Sequence, residues 1–207
     1  MENKLITLYD VEQGSEAWHE LRCGRITASK FKDMMSGHST AGYKGLIFDT
    51  SGQIVSRQIE ESYSNANMER GIELEPEARM FYETIKEVEV DEVGFVTNEV
   101  IYPEYIGVSP DGMIKKGNGL LEIKCPLLKT HVGYLLADKL PNEYKWQVQG
   151  QMLVSKTNYC DFMSYYPNMV PFIKRIYPDL EMQNQLLERM EASVDLIKDI
   201  VKQINSK

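Results

Sequence analysis

Only three cysteines occur in the 207 residues, Cys23, Cys125 and Cys160, and no two of them form a CxxC pair. An odd, scattered set of thiols argues against a disulfide framework and against a zinc or iron–sulfur centre, and fits a reducing compartment. Histidine is equally scarce: His19, His38 and His131 lie far apart, so neither a His-rich metal site nor a nucleophile–histidine pattern is suggested. Any metal must then be held by oxygen ligands. Long apolar runs are lacking, and the opening MENKLITLYD has no basic region followed by an apolar stretch. A soluble, cytoplasmic chain without membrane contact is expected.

Positive charge is also in short supply. The chain carries 23 Lys and Arg against 31 Asp and Glu, a net −8, which is the wrong sign for gripping a phosphate polymer. The excess is local, however. Between Glu60 and Glu92 eleven acidic residues face three basic ones, Arg70, Arg79 and Lys86, and the remainder is neutral. Two stretches are locally basic: Arg22, Arg25, Lys30 and Lys32, and then Lys115, Lys116, Lys124 and Lys129. Either cluster reads equally well as solvated surface, so charge by itself decides nothing.

What is present is enough for one sizeable core: 43% of the residues are hydrophobic, and a single domain over residues 1–207 is expected. Ser15 before EAWHELR and Gly24 after it read as a capped, glycine-stopped helix, and Thr27 or Ser29 starts a second through Phe31 and Met35. The Gly-, Ser- and Thr-rich stretch 38–52 predicts a loop, followed by helices over 54–63 and 68–86. From Val93 the pattern changes to short β-branched and aromatic segments, predicting two or three antiparallel strands. Helices over 130–137 and 143–154, a strand over 159–165 and a long helix over 180–204 complete an α/β chain, with a central mixed β-sheet flanked by helices.

Within this pattern, GVSPDGMI is followed by LLEIKCP. Asp111 stands at the end of a predicted strand. Glu122 and Lys124 sit two apart on the next, so they project from one face while Ile123 turns to the core. A hairpin through Gly117–Gly119 would bring Asp111 to them. Two carboxylates at close range repel unless a cation lies between them, and hard oxygens suit Mg²⁺, with Mn²⁺ as a substitute. An acid pair, a metal and a nearby ammonium are the parts that phosphodiester hydrolysis needs. The structural alternative is a cross-strand Glu122–Lys124 ion pair and an Asp111 that merely makes a turn before Gly112. Further on, Tyr144, Gln147 and Gln151 fall on one helix face, leaving Trp146, Gly150 and Leu153 for packing.

The order of GSEAWHELRCGRITASKF, GIELEPEA, GVSPDGMI, LLEIKCP and YKWQVQGQM, from about Gly14 to Pro167, resembles one nuclease family, the lambda-type exonucleases or YqaJ-type viral recombinases of the PD-(D/E)xK superfamily. The resemblance implies that Asp111, Glu122 and the Ile123 carbonyl ligate metal, and that Lys124 acts on the attacking water. It further implies that Glu75 is the helix-borne acid near the metals, and that Tyr144 and Gln147 belong to the active site, with Gln149 and Gln151 left open. Arg22, Ser29 and Ser109 would hold the 5′ phosphate of a DNA end, whereas Trp18 reads as a core anchor. The stretch 36–54 and the acidic segment after Glu60 depart from the family pattern. The implied activity is Mg²⁺-dependent 5′→3′ digestion of one strand of linear duplex DNA, leaving 3′ overhangs. The implied partners are a single-strand-annealing protein and copies of the chain in a ring-shaped homo-oligomer, a trimer being favoured. An endonuclease built on the same core remains open, to be separated by product size on circular and linear DNA. So does a non-catalytic module binding DNA ends or an annealing protein, against which the intact acid–acid–lysine set argues.

Overall fold

A computed structural model describes residues 5–60 and 66–207, with side chains from Glu69 onward in the second stretch. The chain runs β1 (Ile6–Tyr9), α1 (Glu16–Arg22), β2 (Ile26–Thr27), a 3₁₀ turn (Ala28–Lys30), α2 (Phe31–Met34), α3 (Ala41–Ser56) and α4 (Ala66–Lys86). Five short strands follow: β3 (Val90–Asp91), β4 (Phe95–Asn98), β5 (Ile106–Gly107), β6 (Gly112–Ile114) and β7 (Gly119–Lys124). Then come α5 (Leu128–Ala137), a 3₁₀ turn (Asn142–Tyr144), α6 (Lys145–Ser155), β8 (Tyr159–Ser164), β9 (Phe172–Ile176) and α7 (Leu180–Asn205). The expected α/β class with a mixed sheet is what forms.

The main sheet has the order β3-β6-β7-β8-β9. Only β7 and β8 are parallel, and α5 and α6 make the crossover that a parallel pair requires. The pleat of β7 sorts its side chains. Leu121 and Ile123 pack with Ala78 and Tyr82 of α4, while Leu120 packs with Val148 and Met152 of α6. Glu122 and Lys124 therefore share the α6 face with Leu120. A third cluster gathers Ile26, Phe31, Tyr43, Ile47, Val96 and Ile106 against Leu186, Met190 and Val194 of α7, fixing the N-terminal helices to the long last one.

Several sequence expectations need correction. The stretch 38–52 is not a loop: residues 41–56 form α3, capped by Thr40, whose side chain accepts a hydrogen bond from the Tyr43 amide. Its glycines hide an apolar face of Tyr43, Leu46, Ile47 and Ile54 that packs on the α7 core, and tertiary burial outweighs poor helix propensity. The helix expected over 54–63 instead ends at Ser56, where Arg57 takes a left-handed conformation, and residues 61–63 lie outside the described residues. Asp111 is not at the end of a strand but in the bend that leads into β6. β1 and β9 went unpredicted. β9 pairs along β8 and places Arg175 opposite Asp161.

The approach of α6 to α2 depends on Gly150, because a Cβ there would lie 2.2 Å from the ring of fully buried Phe31. Replacing a helical glycine by alanine ordinarily stabilises by about 1 kcal/mol, but overpacking of this kind costs about 1–3 kcal/mol, and a rigid buried ring cannot step aside. Gly150→Ala should therefore lower stability, read as a reduced denaturant midpoint with an unchanged slope.

Candidate active site

The β6–β7 hairpin pairs Gly112 with Leu121, so Asp111, one residue earlier, faces Glu122, one residue later. The contact is direct. Asp111 Oδ2 accepts a hydrogen bond from the Ile123 amide at 2.6 Å, closing the hairpin where β6 has run out. A strand residue projects its N–H and C=O to the same side, so the Ile123 carbonyl lies along the edge that Asp111 occupies. Glu122 is 1% exposed, and both of its oxygens are engaged. Oε1 accepts from Gln147 Nε2 at 2.5 Å and from the Lys124 ammonium, and Oε2 accepts from Gln151 Nε2 at 2.6 Å. The Tyr144 ring lies 5.5 Å from Lys124 Nζ, within cation–π range. Glu75 comes from α4, and its carboxylate pairs with Arg79 at 2.7 Å.

Charge is under tension here. Burial, and then the Glu122 charge, push the Asp111 carboxyl well above the ordinary carboxylate range. Glu75 is raised as well, by burial, with Arg79 and Lys124 opposing. Burial pulls the Lys124 ammonium down, but Glu122 and Asp111 outweigh it and leave the group more basic than a free lysine. Lys124 is thus held as a cation. Among the described residues no three His, Cys, Asp or Glu side chains gather at metal-holding spacing. A divalent ion would rest on the Asp111–Glu122 pair and the Ile123 carbonyl. The donors fit Mg²⁺, since all are hard oxygens, the single Lys124 cation offsets only one of the pair's two charges, and Mg²⁺ keeps several waters rather than filling a protein cage.

Three residues of chain, Ser109 to Asp111, connect this centre to a second one. Arg22 donates from Nη1 to Ser109 Oγ at 3.3 Å and from Nη2 to Thr27 Oγ1 at 3.1 Å, while Trp18 Nε1 donates to the same Ser109 oxygen at 3.0 Å. The Ser29 hydroxyl lies 3.4 Å from Thr27 Oγ1. The guanidinium stacks 4.1 Å over Trp18, and burial lowers it to about 10. It remains charged at neutral pH, and no described carboxylate pairs with it.

All ten sequence-derived candidates therefore fall in two adjoining groups: Asp111, Glu122, Ile123, Lys124, Glu75, Tyr144 and Gln147, and then Arg22, Ser29 and Ser109. Most of the basic clusters stay outside. Lys115 pairs with Glu89 and Asp91, and Arg25 is spent on the carbonyls of Pro103 and Leu21. Gln149 is structural, linking α6 to Tyr177 and Asp179. Gln151, which the sequence places on the helix face of Tyr144 and Gln147 but leaves open, reaches Glu122, whereas Thr27 and Arg79 are not among the sequence candidates. Gln151 follows Gln147, and Arg79 follows Glu75, by four residues, a spacing that aligns them on a helix. Thr27 gave no such signal. Trp18 is half-buried at the pocket wall rather than a core anchor.

A mixed sheet whose hairpin presents Asp111 against Glu122 and Lys124 defines a PD-(D/E)xK core. More narrowly, residues 17–159 match the YqaJ-like viral recombinase domain, and the chain belongs to that family. It is similar to the alkaline exonuclease LHK-Exo of Laribacter hongkongensis, also solved in complex with dAMP, at 31% identity and a TM-score of 0.85 over 93% of this chain and 97% of that one. A phage-related exonuclease from Haemophilus somnus 129PT shares the fold, at 13% identity and a TM-score of 0.65 over 87% of this chain and 96% of that one. An uncharacterised protein of Acanthamoeba polyphaga mimivirus is 28% identical over an alignment of 183 residues that covers 81% of this chain but only 32% of that longer protein.

The tension at Asp111 has a measurable sign. Its carboxyl binds a proton more tightly in the folded than in the unfolded chain, so metal-free protein is penalised above the raised value and gains stability as pH falls through it. In chelator at pH 8, Asp111→Asn, which can still accept from the Ile123 amide, should unfold at a higher temperature than wild type. Mg²⁺ should reverse that order, and a destabilised Asp111→Asn protein in chelator would refute the repulsion.

Proposed function

We propose that this chain is a Mg²⁺-dependent exonuclease that digests one strand of linear duplex DNA from its 5′ end, leaving a 3′ overhang for strand annealing. The observation that carries the reading is the adjacency of two unlike sites on one short segment. Ser109 belongs to a cationic pocket in which no described carboxylate pairs with Arg22, and Asp111 to the acid centre. Two residues of chain span at most about 7 Å, so a terminal phosphate in the first site would bring a neighbouring phosphodiester to the second. Endonuclease action needs no end-binding pocket. The dAMP bound by the similar Laribacter protein supports the same reading, because a deoxynucleoside monophosphate is what a terminal cut releases.

Each residue then has a task. Glu122, held by two amides, and Asp111, held by the Ile123 amide, present oxygens in fixed directions. Lys124, kept protonated by those carboxylates, donates to the attacking water or to phosphate oxygens and stabilises the negative charge that develops. Tyr144 lies alongside that ammonium and restricts where it points, and Gln147 reaches the same Glu122 oxygen as Lys124. Bound Mg²⁺ would supply Lewis-acid activation of the water and neutralise the pentavalent phosphorus centre. Arg22 offers a forked donor to the 5′ phosphate, with the hydroxyls of Ser29 and Ser109 beside it. A single-strand-annealing protein as consumer of the overhang, and a closed homo-oligomeric ring, trimeric by preference, around the duplex, complete the proposal.

Linear duplexes labelled at either end, incubated with Mg²⁺ or Mn²⁺ and then with chelator, test activity, polarity and metal dependence together. Mononucleotides released from the 5′ label only in the presence of metal are expected. Asp111→Asn and Glu122→Gln should abolish release while retaining DNA binding, and folded Asp111→Asn protein that cuts at wild-type rate would remove the metal-centre reading.

The pocket has its own test. A charge-assisted contact is worth about 1.5–3 kcal/mol, so 5′-phosphorylated ends should be cut about ten- to a hundredfold faster than 5′-hydroxyl ends. Arg22→Ala should erase that ratio. A variant that is slower on both ends with the ratio intact would assign Arg22 to the fold alone.

A further inference from the structure

Arg79 is 8% exposed, and a guanidinium so enclosed needs partners for its donors. Its three nitrogens reach three places. Nε donates to the main-chain carbonyl of Asp111 at 3.1 Å, Nη2 to Glu75 Oε1 at 2.7 Å, and Nη1 to Glu92 Oε1 at 2.6 Å. One rigid plane therefore joins the helix-borne acid Glu75 to the backbone of Asp111. The Glu92 side chain is 75% exposed, and such a pairing contributes little, so the two inner contacts carry the geometry. Nine residues earlier on α4, Arg70 donates from Nη1 to the carbonyls of Cys125 and Pro126 at 2.7 and 3.0 Å. Helix α4 thus grips the main chain where Asp111 enters β6 and again just after Lys124 leaves β7.

We propose that Arg79 is a positioning residue for the acid centre: its bridge from Glu75 to the Asp111 carbonyl sets the spacing of the carboxylates and with it the affinity for a divalent cation. The proposal deepens the reading above and rests on it for the identity of the cation. A staple that merely fastens α4 to the sheet would depend on Arg79 for stability alone. The fork is what distinguishes the two roles, because lysine keeps the charge and most of the apolar stem but cannot hold two acceptors in fixed directions.

Mn²⁺ titrated calorimetrically into metal-free protein, and the Mg²⁺ concentration giving half-maximal cleavage of a linear duplex, are compared for wild type, Arg79→Lys, Arg79→Gln and Glu92→Gln. Unfolding curves in chelator establish that each is folded at the assay temperature. Both Arg79 variants should weaken Mn²⁺ binding and raise the Mg²⁺ requirement about ten- to a hundredfold, with cleavage recovering towards wild type at saturating metal. Glu92→Gln should change either value by less than about threefold. Should Arg79→Gln fail to fold, Arg79→Lys carries the comparison. Glu75→Gln reads the same bridge from its other end, and combining it with Arg79→Lys should add little to either single loss. Arg79→Lys protein that unfolds more easily yet binds Mn²⁺ as wild type overturns the proposal, as does full additivity with Glu75→Gln. Wild-type protein that binds Mn²⁺ but leaves linear duplexes intact overturns the exonuclease reading while the Arg79 binding ratio stands. Wild-type protein that binds no Mn²⁺ overturns both.

Discussion

Two carboxylates, Asp111 and Glu122, are held against each other inside the protein by the register of one antiparallel hairpin, and the surrounding structure answers to that constraint. Unscreened, the pair would be expelled towards water or protonated. Pleating fixes the direction of Glu122, and the Ile123 amide fixes that of Asp111. α6 is then committed to the site: Gln147 and Gln151 reach Glu122 from successive turns, which needs the helix close to the sheet and so needs Gly150 against Phe31. Lys124 supplies the nearest positive charge, and attraction to Glu122 and Asp111 raises its basicity, while burial and then the Glu122 charge raise Asp111.

The sheet contains its own control. Asp161 on β8 is also 1% exposed, but Arg175 on the neighbouring strand meets both of its oxygens at 2.8 Å and the Tyr82 hydroxyl donates at 2.6 Å. That acid is fully compensated by fixed groups and needs no ion. Asp111 receives one backbone amide and faces another carboxylate. Two acids of the same sheet region thus differ in kind: Asp161 is matched within the fold, and Asp111 is left to be matched from outside.

The sequence made the centre legible because its signals are local. Glu122 and Lys124 lie two apart on a strand, Asp111 lies one hairpin away, and Gln147 and Gln151 are one helical turn apart, so periodicity alone aligns them. Elements fixed by distant packing were harder to read. α3 is rich in glycine and serine, and its helical state depends on Tyr43 and Ile47 meeting Met190 and Val194 of α7, residues far along the chain. The short strand β9 shows no clear alternation, being completed by pairing with β8. Thr27 was invisible for a similar reason: it enters the Arg22 pocket only because β2 pairs with β5 in parallel, setting Thr27 beside Gly107 and the Ser109 segment.

The acidic segment, which looked like an objection to a nucleic-acid enzyme, becomes intelligible in position. Glu73, Glu77 and Glu87 are exposed on or just beyond α4, and Glu89 and Asp91 continue the row while neutralising Lys115. A polyanion approaching these exposed carboxylates meets like charge at distances up to about a Debye length. Among the described residues no carboxylate pairs with Arg22, and Lys124 at the acid centre is held protonated. Net charge therefore says little about where a phosphate chain can settle. What matters is that Arg22 reaches Ser109 and Lys124 lies within electrostatic reach of Asp111, so repulsion from the acidic segment sharpens the preference for that one place.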